Sequence, residues 1–106
     1  MAGHPYKVRY AKEAIEDIQS LRAYDRGRIL AAIERHLFHD PLRVSRTQIK
    51  RMLQPFWSQF RLRVQDFRVY YDVDEPQRIV DILRILKKEV GQTLQEPPHE
   101  TNRNNA

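Results

Sequence analysis

The stretch that decides the fold is FWSQFRLRVQDFRVYYDV, residues 56–73, in which arginines alternate with bulky apolar residues. Side chains of a β-strand point to opposite faces with period two, so each half of the stretch predicts a strand with one apolar and one polar face. The polar Gln65-Asp66 step between the halves predicts a tight hairpin. The two strands, predicted at 57–64 and 67–73, bring three guanidinium groups onto one surface: Arg61, Arg63 and Arg68.

Length and charge indicate one basic domain. The chain has 106 residues, which suits a single modest core, and its formal net charge is +5. Between residues 43 and 68 the only acid is Asp66, against seven cations: Arg43, Arg46, Lys50, Arg51, Arg61, Arg63 and Arg68. Such an excess predicts an anionic partner, which is a nucleic acid, an anionic membrane or an acidic protein.

Composition also excludes several classes of site. The chain has no cysteine, which rules out disulfides and thiolate metal sites, and its four histidines do not form a metal-binding pattern. We therefore expect neither a metal nor another cofactor. No apolar run approaches the ~20 residues of a membrane span, and the first residues lack the apolar core of a signal peptide. These features predict a cytoplasmic protein without a membrane partner.

The first part of the chain predicts a strand followed by two helices. Residues 6–10, YKVRY, alternate as a short strand does. Residues 11–23 then carry apolar side chains at helical spacing, which predicts an amphipathic helix. Asp25 is the predicted N-cap of a second helix, which ends before Asp40-Pro41 because proline disfavours helix in the preceding residue. The short connection at 24–27 predicts an antiparallel helical pair.

The remaining elements predict a sheet with helices on one side. Residues 41–55 show no clear period and are predicted to be a loop, whereas 79–86, IVDILRIL, is predicted to be a central strand buried on both faces. The predicted fold is α+β: an N-terminal strand, a helical hairpin and a three-stranded antiparallel meander, forming one sheet with both helices on one face. Residues 1–90 are the predicted domain, and 91–106 a polar, disordered tail.

At this point the chain resembles the RelE/ParE superfamily, the toxins of bacterial type II toxin–antitoxin systems. The resemblance covers about residues 6–92 and rests on the order of elements and on four stretches of sequence: YKVRYAKEAIEDIQSL, IKRML, FRLRVQDFRVYYDVD and IVDILRILKK. It implies a compact RelE-like fold, a cognate antitoxin as partner and, in the RelE-like branch, cleavage of messenger RNA on the ribosome. It also implies contact with DNA only through the antitoxin.

The resemblance also implies which residues act. Arg61 and Arg68 match positions where RelE-like toxins carry catalytic or phosphate-binding cations. Lys88 matches a common arginine position, with Lys87 in the place of a histidine, whereas Gln92 replaces the usual tyrosine. The implied catalytic residues are Arg61, Arg68 and Lys88, and the implied RNA-binding residues are Lys50, Arg51, Arg63 and Lys87.

The missing tyrosine bears on the chemistry. Attack of a ribose 2′-oxygen on a phosphate needs a proton acceptor, a charge that stabilises the phosphorane and an acid for the leaving oxygen. The arginines meet the second need, and a glutamine cannot titrate, so Lys88 or Tyr70 is the candidate for proton transfer. Phe56 and Trp57 have two readings: they stack on RNA bases, or they belong to the core or to an antitoxin contact.

Three functions therefore stay open at the level of sequence. The first is a RelE-like, metal-independent mRNA endoribonuclease that inhibits translation, with the ribosome and mRNA as partners. The second is a ParE-like toxin that inhibits DNA gyrase without nuclease activity. The third is a non-toxic binding module on the same fold.

Overall fold

A computed structural model describes residues 5–88, which form a mixed α+β domain. The predicted tail at 91–106 and the predicted domain end at residue 90 lie outside the described residues. The elements, in chain order, are β1 (Lys7–Tyr10), α1 (Lys12–Gln19), α2 (Ala23–Leu37), β2 (Ile49–Arg51), β3 (Phe60–Val64), β4 (Phe67–Asp74) and β5 (Ile79–Lys87).

The five strands form one sheet in the order β1-β5-β4-β3-β2. The β2, β3, β4 and β5 strands pair antiparallel, whereas β1 runs parallel to β5. Parallel neighbours need a long crossover connection, and here the helical pair is part of it. The β1 strand lies at one edge of the sheet, whereas β5 has a neighbouring strand on each side, as its prediction as an interior strand requires. Only Val80, Ile82 and Ile85 of β5 are fully buried, and all three belong to the core on the helix side, so the prediction of burial on both faces is wrong.

Both helices pack on one face of the sheet, as predicted. The α2 helix contributes the apolar stripe Ile29, Ile33 and Leu37, and α1 contributes Ala14. Alternate residues of the hairpin meet these helices in a single core: Phe60, Leu62, Val64, Phe67, Val69 and Tyr71. The alternation read from the sequence therefore decides which residues face the core and which remain on the other side.

The helix boundaries differ from the prediction at the connection. The α1 helix ends at Gln19, and α2 begins at Ala23 with Arg22 as its N-cap residue, so the N-cap assigned to Asp25 is wrong. Asp25 instead lies in the first turn of α2, where its carboxylate pairs with the Arg22 Nε at 2.9 Å. An acidic side chain is favourable there because the helix N-terminus carries partial positive charge. Among residues 5–88, no helix is long and apolar enough to cross a membrane.

A short strand lies inside the segment that was predicted to be a loop. The β2 strand pairs antiparallel with β3, with Ile49 opposite Leu62. Three residues are too few to display a period of two, and Ile49 is the only buried one among them. The β2 strand extends the sheet beyond the hairpin and adds Lys50 to the face opposite the helices.

Candidate nucleic-acid interface

The sheet face turned away from the helices, hereafter the open face, carries the hairpin cations in rows across the strands. In one row Lys50 lies opposite Arg61, which in turn lies opposite Tyr70. In the next row Arg63 lies opposite Arg68. Directly paired residues have Cβ atoms about 5 Å apart, so these cations are near neighbours. Neither row contains a carboxylate. We call these two rows of paired residues the basic rows.

The two arginines assigned to catalysis have different surroundings. Arg68 is only 6% exposed, and its Nη1 donates hydrogen bonds to the carbonyl oxygens of Gln65 and Phe67 at 2.8 and 3.0 Å. Burial lowers the Arg68 pKa, and the positive charges of Arg61 and Arg63 lower it further. The guanidinium nevertheless stays charged in neutral solution, because its ordinary pKa is so high. Arg68 therefore holds the hairpin turn and adds positive potential beneath the open face.

Arg61 is more accessible and less engaged. Its side chain is half-buried, and its Nε is a buried donor with no hydrogen-bond partner within residues 5–88. Its neighbours Lys50 and Arg63 are exposed. Of the two arginines, Arg61 is thus the one better able to meet a phosphate on the open face.

Lys88 lies at the hairpin end of the same sheet. Its backbone N–H donates to the carbonyl oxygen of Asp66, 2.7 Å away, which holds the residue beside the hairpin turn. Leu86 pairs with Arg68 on the open face, so alternation directs the exposed Lys88 side chain to that face as well. The structure therefore brings Arg61, Arg68 and Lys88 to one end of one face.

Two of the predicted RNA-binding residues lie on the other face. Arg51 pairs with Phe60, and its guanidinium lies 5.0 Å from the centre of that ring. Lys87 pairs with Phe67, which points into the helix-covered core. Both cations are exposed at the margins of the helix-covered side. Of the four residues assigned to RNA binding, Lys50 and Arg63 share the open face with Arg61.

An aromatic cluster covers the middle of the open face. Tyr70 is completely buried but lies outside the main core, and the Trp57 and Phe56 rings cover it at centroid distances of 4.7 and 6.0 Å. Burial raises the Tyr70 pKa, an effect that Arg61 and Arg68 partly offset. Its hydroxyl is therefore shielded from solvent, which disfavours the proton-transfer role considered for it. Sequence alone did not show this cover, because Phe56 and Trp57 precede β3 in irregular chain.

Beyond the aromatic cluster the open face becomes acidic. Asp72 lies opposite Asp81, which pairs with the Arg9 Nε at 2.8 Å. The Asp72 Oδ1 accepts a hydrogen bond of 2.7 Å from the Gln59 N–H. Burial raises the Asp72 pKa, the Gln59 bond opposes this rise, and the charge of Asp81 adds to it. We call Asp72 and Asp81, together with the paired Arg9, the acidic row. Within residues 5–88 no group of three or more histidine, cysteine or acidic side chains could hold a metal ion.

Comparison with known proteins identifies the family. The sequence model of one protein family matches residues 8–90, which is most of the chain. That family is described as the ParE toxin of type II toxin–antitoxin system, parDE. The chain belongs to the ParE toxin family. It is thus a toxin of a type II toxin–antitoxin system, and the resemblance to the RelE/ParE superfamily is confirmed. No curated protein sequence matches it.

Solved structures agree with this family assignment. The RelBE2 toxin–antitoxin complex from Mycobacterium tuberculosis contains a chain 30% identical to this toxin, with a TM-score of 0.61, over 80% of this chain and 93% of that one. The RelE–RelB complex from Pyrococcus horikoshii OT3 gives 23% identity and a TM-score of 0.66, over 81% and 98%. A free RelE toxin from E. coli that carries two substitutions is 16% identical to this chain, with a TM-score of 0.62, over 82% of this chain and 87% of that one. Because the last two structures are less than 25% identical to this chain, they show only that the fold is shared.

Proposed function

We propose that this ParE-family toxin is a RelE-like endoribonuclease that binds mRNA on the ribosome through the open face and inhibits translation. The observation that carries the proposal is the pair of basic rows, in which Lys50, Arg61 and Arg63 share one face without a carboxylate among them. Arginine suits this role because its planar fork of donors matches phosphate oxygens and is always charged. The toxin would act in the cytoplasm, where translating ribosomes are found.

The chemistry assigned to this face is attack of a ribose 2′-oxygen on the adjacent phosphorus, which forms a 2′,3′-cyclic phosphate as the bond from phosphorus to the 5′-oxygen of the next nucleotide breaks. Negative charge grows on the non-bridging oxygens in the transition state, and a fixed cation such as Arg61 stabilises that charge. Arg68 contributes from beneath through its buried charge. Lys88, at the hairpin end of the open face, is assigned the donation of an ammonium proton to the leaving 5′-oxygen, while the 2′-hydroxyl proton passes to water. Neither step requires a metal ion.

We propose a cognate antitoxin as the protein partner. The solved relatives from M. tuberculosis and P. horikoshii are complexes of a toxin with its antitoxin. A partner segment with acidic residues would neutralise the basic rows, and long-range attraction would speed its association. DNA contact would then come through the antitoxin and not through this chain.

Primer extension on mRNA from cells producing the toxin tests the nuclease assignment. We expect position-specific cuts within translated regions, and Arg61→Gln should reduce cutting about 10²–10³-fold, as loss of one transition-state donor does elsewhere. Arg68 is a poor choice for this test because its loss would also weaken the hairpin turn. The matched control is Arg9→Gln, which removes an open-face cation from the acidic row. Equal cutting by Arg61→Gln and the unmodified toxin, at equal soluble amounts, would contradict the assignment.

The second candidate function is ParE-like inhibition of DNA gyrase without RNA cleavage. Two observations favour it: the match to the ParE toxin model, and the burial of Tyr70, which leaves no accessible phenol beside Arg61. Induction of the DNA-damage response in producing cells, with intact mRNA, would select this function over the nuclease. Growth without arrest in cells lacking the antitoxin would instead favour a non-toxic binding module.

A further inference from the structure

A small pocket opens beside Arg61 at the β2 edge of the open face. Its volume is about 110 Å³, which is room for roughly three to four waters of ~30 Å³ each and therefore for one phosphate group. Four of its lining side chains are cationic, and none is acidic. They are Arg46, Lys50, Arg61 and Arg63, accompanied by Val44, Ser45, Thr47, Gln48 and Ile49.

The wall of this pocket is a hydrogen-bonded turn. The Ser45 hydroxyl oxygen accepts from the backbone N–H groups of Gln48 and Ile49 at 3.0 and 3.3 Å. The Ser45 N–H donates to the Ile49 carbonyl at 2.9 Å, and the Arg63 N–H donates to the Gln48 carbonyl at 2.8 Å. These bonds tie the turn to the sheet, so the backbone that carries Arg46 is already in place before any ligand arrives. Such preorganisation lowers the cost of binding an anion.

The aromatic cluster lies on the opposite side of Arg61. The Phe56 and Trp57 rings stack at 5.0 Å with an angle of 27° between their planes, and both are half-buried. Three donor atoms around these rings are buried and have no hydrogen-bond partner among the described residues: Trp57 Nε1, Tyr70 Oη and Arg61 Nε. A nucleobase offers a flat face on which aromatic rings stack. The half-buried Phe56 and Trp57 rings therefore provide a stacking surface that a base would use.

We propose that the pocket and the aromatic pair form one nucleotide subsite for single-stranded RNA. The backbone phosphate lies in the pocket among Arg46, Lys50, Arg61 and Arg63, and the base packs against Phe56 and Trp57. Arg61 lies between the two parts, with Lys50 opposite it on one side and Tyr70 on the other, each about 5 Å away at Cβ. That spacing is of the order of one nucleotide. The subsite rests on the proposed function and names the ligand that the open face takes.

Fluorescence titration of the full chain with a short single-stranded oligoribonucleotide tests the base position. Trp57 is the only tryptophan, so its emission reports on this subsite alone. We expect the RNA to quench Trp57 emission, and an abasic oligonucleotide of equal length to bind about 10-fold more weakly without quenching it, because base stacking is lost. Unchanged Trp57 emission at saturating RNA would overturn the base position.

Variants and a labelled oligonucleotide test each half separately. The Trp57→Leu variant should bind RNA with the weaker affinity that the wild type shows for the abasic oligonucleotide. Trp57→Phe keeps an aromatic ring and should recover most of the lost affinity. Thermal unfolding verifies that both variants fold. Arg46→Gln should weaken RNA and abasic binding equally, by about 5- to 10-fold. Its matched control is Arg43→Gln, an exposed cation of the same segment outside the pocket. Equal affinity of Arg46→Gln and Arg43→Gln for RNA would overturn the phosphate position.

Competition by inorganic phosphate identifies the source of the bound group. Displacement of RNA only at phosphate concentrations far above those of the oligonucleotide supports a backbone phosphate held within a strand. Tight binding of free phosphate with no measurable RNA binding would overturn the nucleotide subsite. The subsite and the nuclease activity can fail independently. If RNA binds in this way but mRNA is not cut, the subsite stands and the nuclease assignment fails. If Arg46→Gln and Trp57→Leu both cut mRNA normally, the subsite is refuted and the nuclease assignment stands.

Discussion

Arg61 and Arg68 lie on the same face of one hairpin, yet their environments give them different tasks. Arg68 is buried and satisfies two carbonyl oxygens near the turn, so its contribution is to the stability of the hairpin. Arg61 is half-buried and keeps an unpartnered donor within the described chain. Substitution of Arg61 therefore tests binding and catalysis, whereas substitution of Arg68 tests folding first.

Asp72 gives a prediction of pH-dependent stability. Its folded-state pKa is raised above the ordinary 3.8, mainly by burial, so the folded protein binds this proton more readily than the unfolded chain does. The charged carboxylate therefore costs stability above its folded pKa, and the cost disappears as pH falls toward 3.8. We expect Asp72→Asn to raise the free energy of unfolding at pH 7, because an amide oxygen still accepts from Gln59 N–H. Urea unfolding between pH 4 and 7 measures this.

The control for Asp72 is Glu75→Gln, which removes an exposed carboxylate from the neighbouring turn. It reports how loss of one surface charge affects stability by itself. A gain for Asp72→Asn that is no larger than this control, or that grows as pH falls, would contradict the assigned cost of burying Asp72.

At the scale of the elements, Gly27 is a weak point of α2. It lies exposed within the helix Ala23–Leu37, and no atom lies within 4 Å of where a Cβ would be added. Glycine loses more backbone entropy than alanine on entering a helix, at a cost of about 0.5–1 kcal/mol. We therefore expect Gly27→Ala to raise the free energy of unfolding by about that amount, measured by urea denaturation.

Ala31→Gly is the matched control for Gly27, since it makes the reverse change at an exposed position of the same helix. It should lower the free energy of unfolding by a similar amount. If both variants left stability unchanged, α2 would contribute little to cooperative unfolding, contrary to its share of the core residues Ile29, Ile33 and Leu37.

Elements with a clear period were predictable from the sequence, and elements fixed by tertiary contacts were not. The hairpin was found because Phe60 to Tyr71 alternate, and the core faces of β3 and β4 followed directly. The β2 strand was missed because three residues show no period, and α2 begins before Asp25 because its first turn is not set by a side-chain cap. The burial of Arg68 also depends on its neighbours in the folded hairpin. Alternation predicted that Arg68 lies on the open face, but it did not predict that the side chain is buried there.

For the molecule as a whole, the open face has two ends of opposite charge. The basic rows lie at the hairpin end, the acidic row lies at the other, and the aromatic cluster lies between them. A polyanion is attracted to the first end and repelled by Asp72 and Asp81 at the second. The face therefore favours a strand that crosses the basic rows over one that runs the length of the sheet.

This arrangement predicts the salt dependence of RNA binding. Each phosphate that a cation neutralises on a single strand contributes about −0.7 to the slope of log K against log salt, so three to four contacts give roughly −2 to −3. Lys50→Gln removes one cation of the basic rows and should make the slope less steep by about 0.7. Arg9→Gln, in the acidic row, should leave it unchanged. Filter binding of a labelled single-stranded RNA across a salt series measures both. Equal slopes for Lys50→Gln and wild type would mean that the strand does not cross the basic rows, whereas a slope near zero would exclude phosphate contacts altogether.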